Sequence, residues 1–205
     1  MKPLLIATNN PGKLLEIQSA LGDLGAELLT PHQLGLALDV EEDGDTYREN
    51  ASRKAVAFAI EAGMTALADD TGLEVEALDG RPGLYSARFS PLPRATDADR
   101  RAYLLSLLKE FPRPWKATFH CTVAVVDPQE WQWNGQVYFS EGLCNGEIVP
   151  EERGAQGFGY DRIFRVAGQD RTMAELTLEE KNSLSHRGRA VRGAIPLLKT
   201  ILKGL

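Results

Sequence analysis

The opening of the chain limits most strongly what it can fold into. Lys2 to Thr8 is a short, largely apolar run, and the polar turn Asn9-Asn10-Pro11-Gly12 follows at once. Leu14, Ile17, Leu21 and Leu24 then recur at helical spacing,. The chain therefore has to start as strand, turn and helix, with a buried strand. Leu28 to Thr30 is expected to add a short second strand. Thr46 and Glu49 have the spacing of a capping box and open a helix carrying Ala51, Ala55, Phe58, Ala59 and Ala62, which Gly63 stops,. Thr65 to Ala68 reads as a short strand ending at Asp69-Asp70-Thr71-Gly72. The Gly- and Pro-rich stretch Leu78 to Pro93 reads as a long ordered loop,.

The pattern changes in the second half. Thr96 and Asp99 form another capping box, ahead of Leu104, Leu107, Leu108 and Phe111 on one helical face,. Thr118 to Val126 and Gln136 to Ser140 are rich in β-branched and aromatic residues, and Asn134-Gly135 between them signals a hairpin turn,. Gly142 to Val149 is expected to extend the sheet. Thr177 and Glu180 cap a short helix, and a last helix runs from about Ser185 towards Leu202, with Pro196 expected to kink it or end its first part,. Early alternation of helix and strand followed by antiparallel strands predicts an α/β fold on a mixed sheet.

Composition excludes several classes of function. No apolar run approaches the ~20 residues that span a bilayer, and Leu4 to Ala7 is too short for the core of a signal peptide. A cytoplasmic protein with no membrane partner is therefore expected. The formal net charge of -6 argues against a nucleic-acid partner,. Cys121 and Cys144 form no CxxC pair and lie in strand-like stretches, which points to buried thiols rather than a zinc site,.

Four segments carry candidate chemistry. The turn Thr8-Asn9-Asn10-Pro11-Gly12-Lys13 lies at a predicted helix N-terminus, where free backbone N–H groups and the helix dipole favour phosphate and Lys13 adds a full charge. Alone, it fits an ordinary strand-to-helix turn with a surface lysine better. It is not a Walker A loop, because the first glycine and the Ser/Thr after the lysine are missing,. Glu41, Glu42, Asp43 and Asp45 crowd one loop, which alone fits a solvated acidic face better than a metal site,; Asp69-Asp70 follows directly on apolar residues, and such carboxylates suit a hard cation such as Mg²⁺,. Gly157-Phe158-Gly159-Tyr160-Asp161 offers aromatics that can stack on a base, or a tight turn with core aromatics,. Lys181 and Ser185-His186-Arg187-Gly188 offer cations for phosphate or a base carbonyl, or simply a capped basic helix start,.

Together these segments resemble the Ham1-like inosine triphosphate pyrophosphatases, the non-canonical purine NTP pyrophosphatases. The matching stretches are Ala7 to Lys13, Glu49-Asn50-Ala51, Ala68 to Leu73, Pro82 to Arg88, Phe158 to Asp161 and Ser185 to Gly188, in order along nearly the whole chain. Arg162 stands where many relatives have Pro, and Asn where many have Gly in the first turn. The resemblance implies a long mixed β-sheet bridging two α/β lobes with the active-site cleft between them, residues 1–205 forming one such domain. It implies a homodimer and a Mg²⁺-dependent enzyme that hydrolyses ITP, dITP and XTP to the monophosphate and pyrophosphate, cleansing the nucleotide pool. Carried over by position, Asp70 is the proton acceptor, and Glu41 and Asp70 are metal ligands. Thr8, Asn9, Asn10, Pro11, Gly12, Lys13 and Thr71 contact the substrate. Phe158, Gly159, Tyr160, Asp161, Lys181, His186 and Arg187 shape the base pocket.

Overall fold

The computed structural model describes residues 1–203. In chain order the elements are β1 (Leu4–Ile6), α1 (Pro11–Leu21), β2 (Leu28–Leu29), α2 (Tyr47–Ala62), β3 (Ala66–Val75), β4 (Pro82–Gly83), α3 (Asp97–Leu108), β5 (Trp115–Val126), α4 (Pro128–Asn134), β6 (Tyr138–Ile148), β7 (Phe164–Val166), α5 (Leu178–Leu184) and α6 (His186–Lys203). The seven strands found among the described residues form one mixed sheet in the order β2-β1-β3-β5-β6-β7, with β4 paired to β3. β1 runs parallel to β2 and β3, placing Ile6 opposite Leu67, while β3–β4 and β6–β7 are antiparallel. The chain divides into two compact units: residues 1–70, 121–142 and 187–205 make up the first, and residues 71–120 and 143–186 the second.

The first unit is organised by strand alternation. Leu4 and Ile6 of β1, Leu67 of β3 and Cys121, Val123 and Val125 of β5 share one core with Ile17 and Leu21 of α1 and with Ala190, Val191, Ala194, Leu198 and Leu202 of α6. Their neighbours Leu5 and Ala7, Ala66 and Ala68, and Ala124 and Val126 share another with Ala51, Ala55, Phe58 and Ala59 of α2. Successive side chains point to opposite faces of a strand, so the sheet here is covered by α1 and α6 on one side and by α2 on the other. The second unit has its own core, in which Leu73, Leu104, Leu108, Trp115, Phe119, Ile148, Ile163 and Phe164 are buried together.

Several expectations need correction. β1 is shorter than Lys2 to Thr8. β3 does not stop before Asp69-Asp70: it runs ten residues, and both aspartates are buried inside it. Cationic neighbours described below make that burial tolerable. β5 and β6 are not joined by a tight hairpin, because Asp127 caps α4 by accepting from Gln129 N at 2.9 Å, Pro128 takes the first helical position, and Gly135 (φ 71°) ends the helix,. The Asn-Gly pair is thus a helix stop. Gly142 to Ile148 is part of β6 itself. The Leu78 to Pro93 segment begins at the end of one 3-10 turn (Glu76–Leu78) and holds β4 and a second turn, Ser86–Arg88. Phe111 lies beyond the end of α3 and is 40% exposed, outside the buried stripe of Leu104 and Leu108. Pro196 does not end α6, whose buried stripe holds the helix together on both sides of the missing N–H,. Ser185, the C-cap of α5, directly precedes α6, which starts at His186 as expected.

Capping follows the sequence closely. Thr96 with Asp99 and Thr177 with Glu180 form complete boxes. At α2 only half forms: Thr46 accepts from Glu49 N at 3.1 Å, but the Glu49 carboxylate takes the Asp45 N–H instead, at 2.8 Å. Phe164 is fully buried, with its ring 4.6 Å from that of Phe119. Phe164→Ala should lower unfolding free energy by about 3–5 kcal/mol. Urea denaturation measures it, with an unchanged slope expected.

Candidate active site

In the first unit, the turn after β1 is built by Asn10. Its side-chain oxygen accepts from the backbone N–H of Gly12 at 2.9 Å and of Lys13 at 3.1 Å, and its own N–H donates to Thr8 Oγ1 at 3.2 Å. Pro11 has no N–H to offer. The open cradle of backbone donors expected from the sequence is therefore already engaged by the cap. What remains for an anion is the positive end of α1 together with the side chains of Thr8 and Lys13. Asn9 and Asn10 are exposed on this turn.

Strand alternation separates the two aspartates of β3. Asp69 follows Leu67 onto the α1/α6 side. Its Oδ2 lies 3.2 Å from Lys13 Nζ and 3.1 Å from Arg187 Nε, and Arg187 Nη1 donates in turn to Glu16 Oε2. Arg187 is 1% exposed, so this guanidinium is enclosed by carboxylates, not displayed on the surface. Burial pushes the Asp69 carboxyl up, but Lys13, Arg187 and Lys54 outweigh it and hold the group well below the usual carboxylate range,.

Asp70 follows Ala68 onto the α2 side. Its Oδ2 accepts from Asn50 Nδ2 at 3.1 Å, and Asn50 Oδ1 takes the N–H of Gly44 in the acidic loop at 2.8 Å. One turn further along α2, Lys54 Nζ donates to the Asp69 carbonyl at 2.6 Å and pairs with Glu42 Oε1 at 2.7 Å. Burial raises the Asp70 carboxyl, with Glu42 adding to the rise, and the pull of Lys54, Lys13 and Asn50 does not cancel it. Adjacent carboxylates thus sit in opposite electrostatic states, a pattern typical of acid–base sites. Within the acidic loop it is Glu42 that joins this cluster, whereas Glu41 is exposed. Among the described residues no three acidic, His or Cys side chains converge in a way that could hold a metal. The donors that do gather are hard carboxylate oxygens, which fit a cation that takes one or two protein ligands and fills its shell with phosphate and water.

In the second unit, the Gly157 to Asp161 segment folds around one carboxylate. Asp161 Oδ2 accepts from Phe158 N at 2.8 Å and from Lys181 Nζ at 2.5 Å, and both charged side chains are buried. Gly157 (φ +72°) has to be glycine, because a β-carbon there would run into the Asp161 carboxylate,. The Lys181 ammonium lies 5.2 Å from the Phe158 ring centroid,. Tyr160 is buried and donates to the Ser86 carbonyl at 2.9 Å, and burial raises its hydroxyl pKa. Ser86 itself accepts from Leu73 N at 2.8 Å and donates to Gly83 O at 2.6 Å. His186 is buried and stacks on Phe119 with ring centroids 4.5 Å apart. Thr71 is half-buried in β3.

Sequence reasoning missed Glu16, Asn50, Lys54, Asp97 and Arg101. Two spacing signals were present: Asn50 and Lys54, like Asp97 and Arg101, are four apart on one helix face. Glu16 gives no such signal.

The first unit thus sets a strand-turn-helix N-terminus beside two carboxylates in opposite electrostatic states on a mixed α/β sheet. The sequence profile of the Ham1 family matches residues 4–197, and the chain belongs to this family. A protein of Desulforamulus reducens named "dITP/XTP pyrophosphatase" is 44% identical over 199 residues, 97% of this chain and 96% of that one. One of the same name from Geobacter sulfurreducens is 46% identical over 192 residues, covering 93% and 94%. The solved structure of a HAM1 protein from Coxiella burnetii superposes with a TM-score of 0.83 at 38% identity, covering 100% of both chains.

Two measurements probe this electrostatic framework. Arg187→Met leaves Asp69 and Glu16 buried without their shared cation and should cost about 3–5 kcal/mol in a denaturant titration. Asp97 of α3 is pushed up by burial, but the Gly159 N–H and Arg100 bring its pKa below the ordinary value. Its contribution is therefore complete above the unfolded carboxylate pKa of about 4 and is lost as pH falls through the lowered folded value. Asp97→Asn should flatten the stability profile in that acid window alone, as read by urea unfolding in steps of pH.

Proposed function

We propose that this chain hydrolyses non-canonical purine nucleoside triphosphates, ITP, dITP and XTP, to the monophosphate and pyrophosphate, and so clears them from the nucleotide pool. The observation that carries this reading is the opposed state of Asp69 and Asp70 beside Lys13: one carboxylate paired with Lys13 and held below the usual range, the other raised and hydrogen-bonded to Asn50. The names of the relatives support the substrate class.

In this reading Thr8, Asn10 and Lys13 hold the phosphates, and Lys13 stabilises the charge that builds on the leaving pyrophosphate. Water attacks the α-phosphorus, the bond from phosphorus to the α–β bridging oxygen breaks, and Asp70 accepts the water's proton. Asp70, with Glu42 in preference to the exposed Glu41, would hold Mg²⁺. When bound, the ion offsets negative charge on the phosphate oxygens. Thr71 contacts substrate next to Asp70. Phe158 stacks on the purine, and Lys181 donates to the 6-keto oxygen that hypoxanthine and xanthine carry and adenine lacks. A buried mismatch at that edge costs about 1–3 kcal/mol. Arg187, enclosed between Asp69 and Glu16, orders the phosphate end in this reading and does not contact the base. By the same resemblance the enzyme works as a homodimer in the cytoplasm; no helix among the described residues is long and apolar enough to cross a membrane.

The test supplies Mg²⁺ with ITP, XTP, GTP, ATP or dTTP and identifies the products. Pyrophosphate and monophosphate in equal amounts from ITP or XTP are expected, and release of orthophosphate, or no turnover, would overturn the reading. Asp70→Asn keeps the shape and removes the proton acceptor, so kcat should fall about 10²-fold or more. Near-normal turnover by this variant would remove Asp70 from its role.

A further inference from the structure

The recognition loop of the second unit is held from a helix that no candidate site included. Gly159 has φ +59°, in the left-handed region. Its N–H donates to Asp97 Oδ2 at 2.7 Å, and its carbonyl accepts from Arg101 Nη1 at 2.7 Å. The two side chains come from successive turns of α3 and grip the peptides on either side of the Gly159 α-carbon. Both grips are charge-assisted. Each is also braced from behind: Asp97 takes a hydrogen bond from Arg100, and Arg101 Nε and Nη2 donate to the two oxygens of Glu152 at 2.7 and 3.1 Å. Arg101 is 5% exposed, so it is a buried side chain spent on one loop carbonyl and one carboxylate. Thr96 and Asp99 fix the start of α3 with a complete capping box, which sets where Asp97 stands.

The ring next to this clamp is Phe158. Its N–H is held by Asp161, and the Lys181 ammonium lies over its face. The Phe158 backbone is thus fixed on one side by Asp161 and on the other by Gly159, whose backbone is in turn fixed by α3. We propose that Asp97 and Arg101 are specificity-determining positioning residues, which hold the Gly159 peptides so that the Phe158 ring and Lys181 present one rigid surface to a purine base. This rests on the reading of the Phe158 to Asp161 segment as the base-holding loop. Neither residue touches the substrate; they act through Gly159. The loop has no strand ladder of its own over residues 157–160, so the clamp adds to what the Asp161 carboxylate and the Tyr160 hydroxyl fix there.

A residue that only stabilises the fold and one that positions a base-holding loop respond differently to a ligand without a base. The variants are Arg101→Met, which keeps the aliphatic stem and removes the donors, Asp97→Ala, and the conservative Arg101→Lys. For each, KM and kcat with ITP and Mg²⁺ are measured beside the inhibition constant of inorganic tripolyphosphate, which carries the phosphates and no base. Thermal unfolding confirms that each variant is folded at the assay temperature, and Arg101→Lys covers the case in which Arg101→Met is not. The expected result is a rise of about tenfold in KM for ITP, the loss of one charge-assisted hydrogen bond, with the tripolyphosphate constant unchanged and partial recovery in Arg101→Lys. Discrimination of ITP over ATP should shrink in step. Equal weakening of ITP and tripolyphosphate, or an unchanged KM in a folded variant, would overturn the inference. Failure of the parent protein to turn over ITP at all would instead count against the proposed function, so the two failures are separable.

Discussion

Removing the Asp69 carboxylate from water is the constraint around which the first unit is arranged. A carboxylate with almost no exposed surface carries a desolvation penalty of several kcal/mol unless cations surround it. Here Lys13 reaches it from α1 and Arg187 from α6, while Lys54 of α2 takes its main-chain carbonyl from the opposite face of the sheet. Three helices, two on one face of the sheet and one on the other, thus converge on one residue of β3. Glu16 completes the balance, since Arg187 faces two carboxylates and Asp69 faces two cations. Lys13 can therefore stay at the mouth of the first turn, half-buried and charged, because its counter-ion is fixed in a strand and not in a mobile loop.

The neighbouring residue gains its properties by contrast. The parity of a strand gives Asp69 and Asp70 different surroundings although they are adjacent in sequence. Asp69 faces the two helices that bring full charges to its carboxylate; Asp70 faces α2, where an amide side chain is its direct partner. A single-residue shift of β3 would exchange these environments. The register with β1, Ile6 opposite Leu67, and the apolar sets on both faces prevent it,. The hydrophobic pattern of residues 66–68 is in this sense what assigns the two carboxylates their separate chemical roles.

Most of the first unit was legible in the chain. The strand-turn-helix start, the Ala-rich stripe of α2 and the Thr46 cap rest on local rules that tertiary contacts did not override, as do the Thr96 and Thr177 caps of the second unit. The extent of β3 was not legible, because two adjacent acidic residues look like the end of a strand unless the cations that neutralise them are known, and those lie far away at 13, 54 and 187. Asn134-Gly135 was misread for a related reason. The pair supplies a left-handed residue wherever one is needed, and Asp127-Pro128 seven residues earlier decides that here it ends a helix. Glu16 was invisible: a carboxylate beside Ile17 looks like the polar edge of an amphipathic helix, and only Arg187 makes it interior.

The second unit solves its positioning problem by other means. Phe158 to Tyr160 have no strand partners, so their geometry has to come from side chains: Asp161 and Lys181 from within and just beyond the loop, Asp97 and Arg101 from α3, and the Ser86 carbonyl for Tyr160. Side-chain clamps suit a loop that has to offer an aromatic face while keeping its own backbone groups satisfied, because the Phe158 and Gly159 N–H groups and the Gly159 carbonyl are met without adding a neighbouring strand across the ring,. They also make the geometry of the loop depend on residues remote in sequence, 97 and 101 against 158 and 159. Local motif reading identifies the loop for that reason, but it does not find what holds it. In the proposed reading, phosphate chemistry in the first unit would rest on strand parity and base recognition in the second on a clamped loop, and these are independent physical supports, so changes to one need not disturb the other.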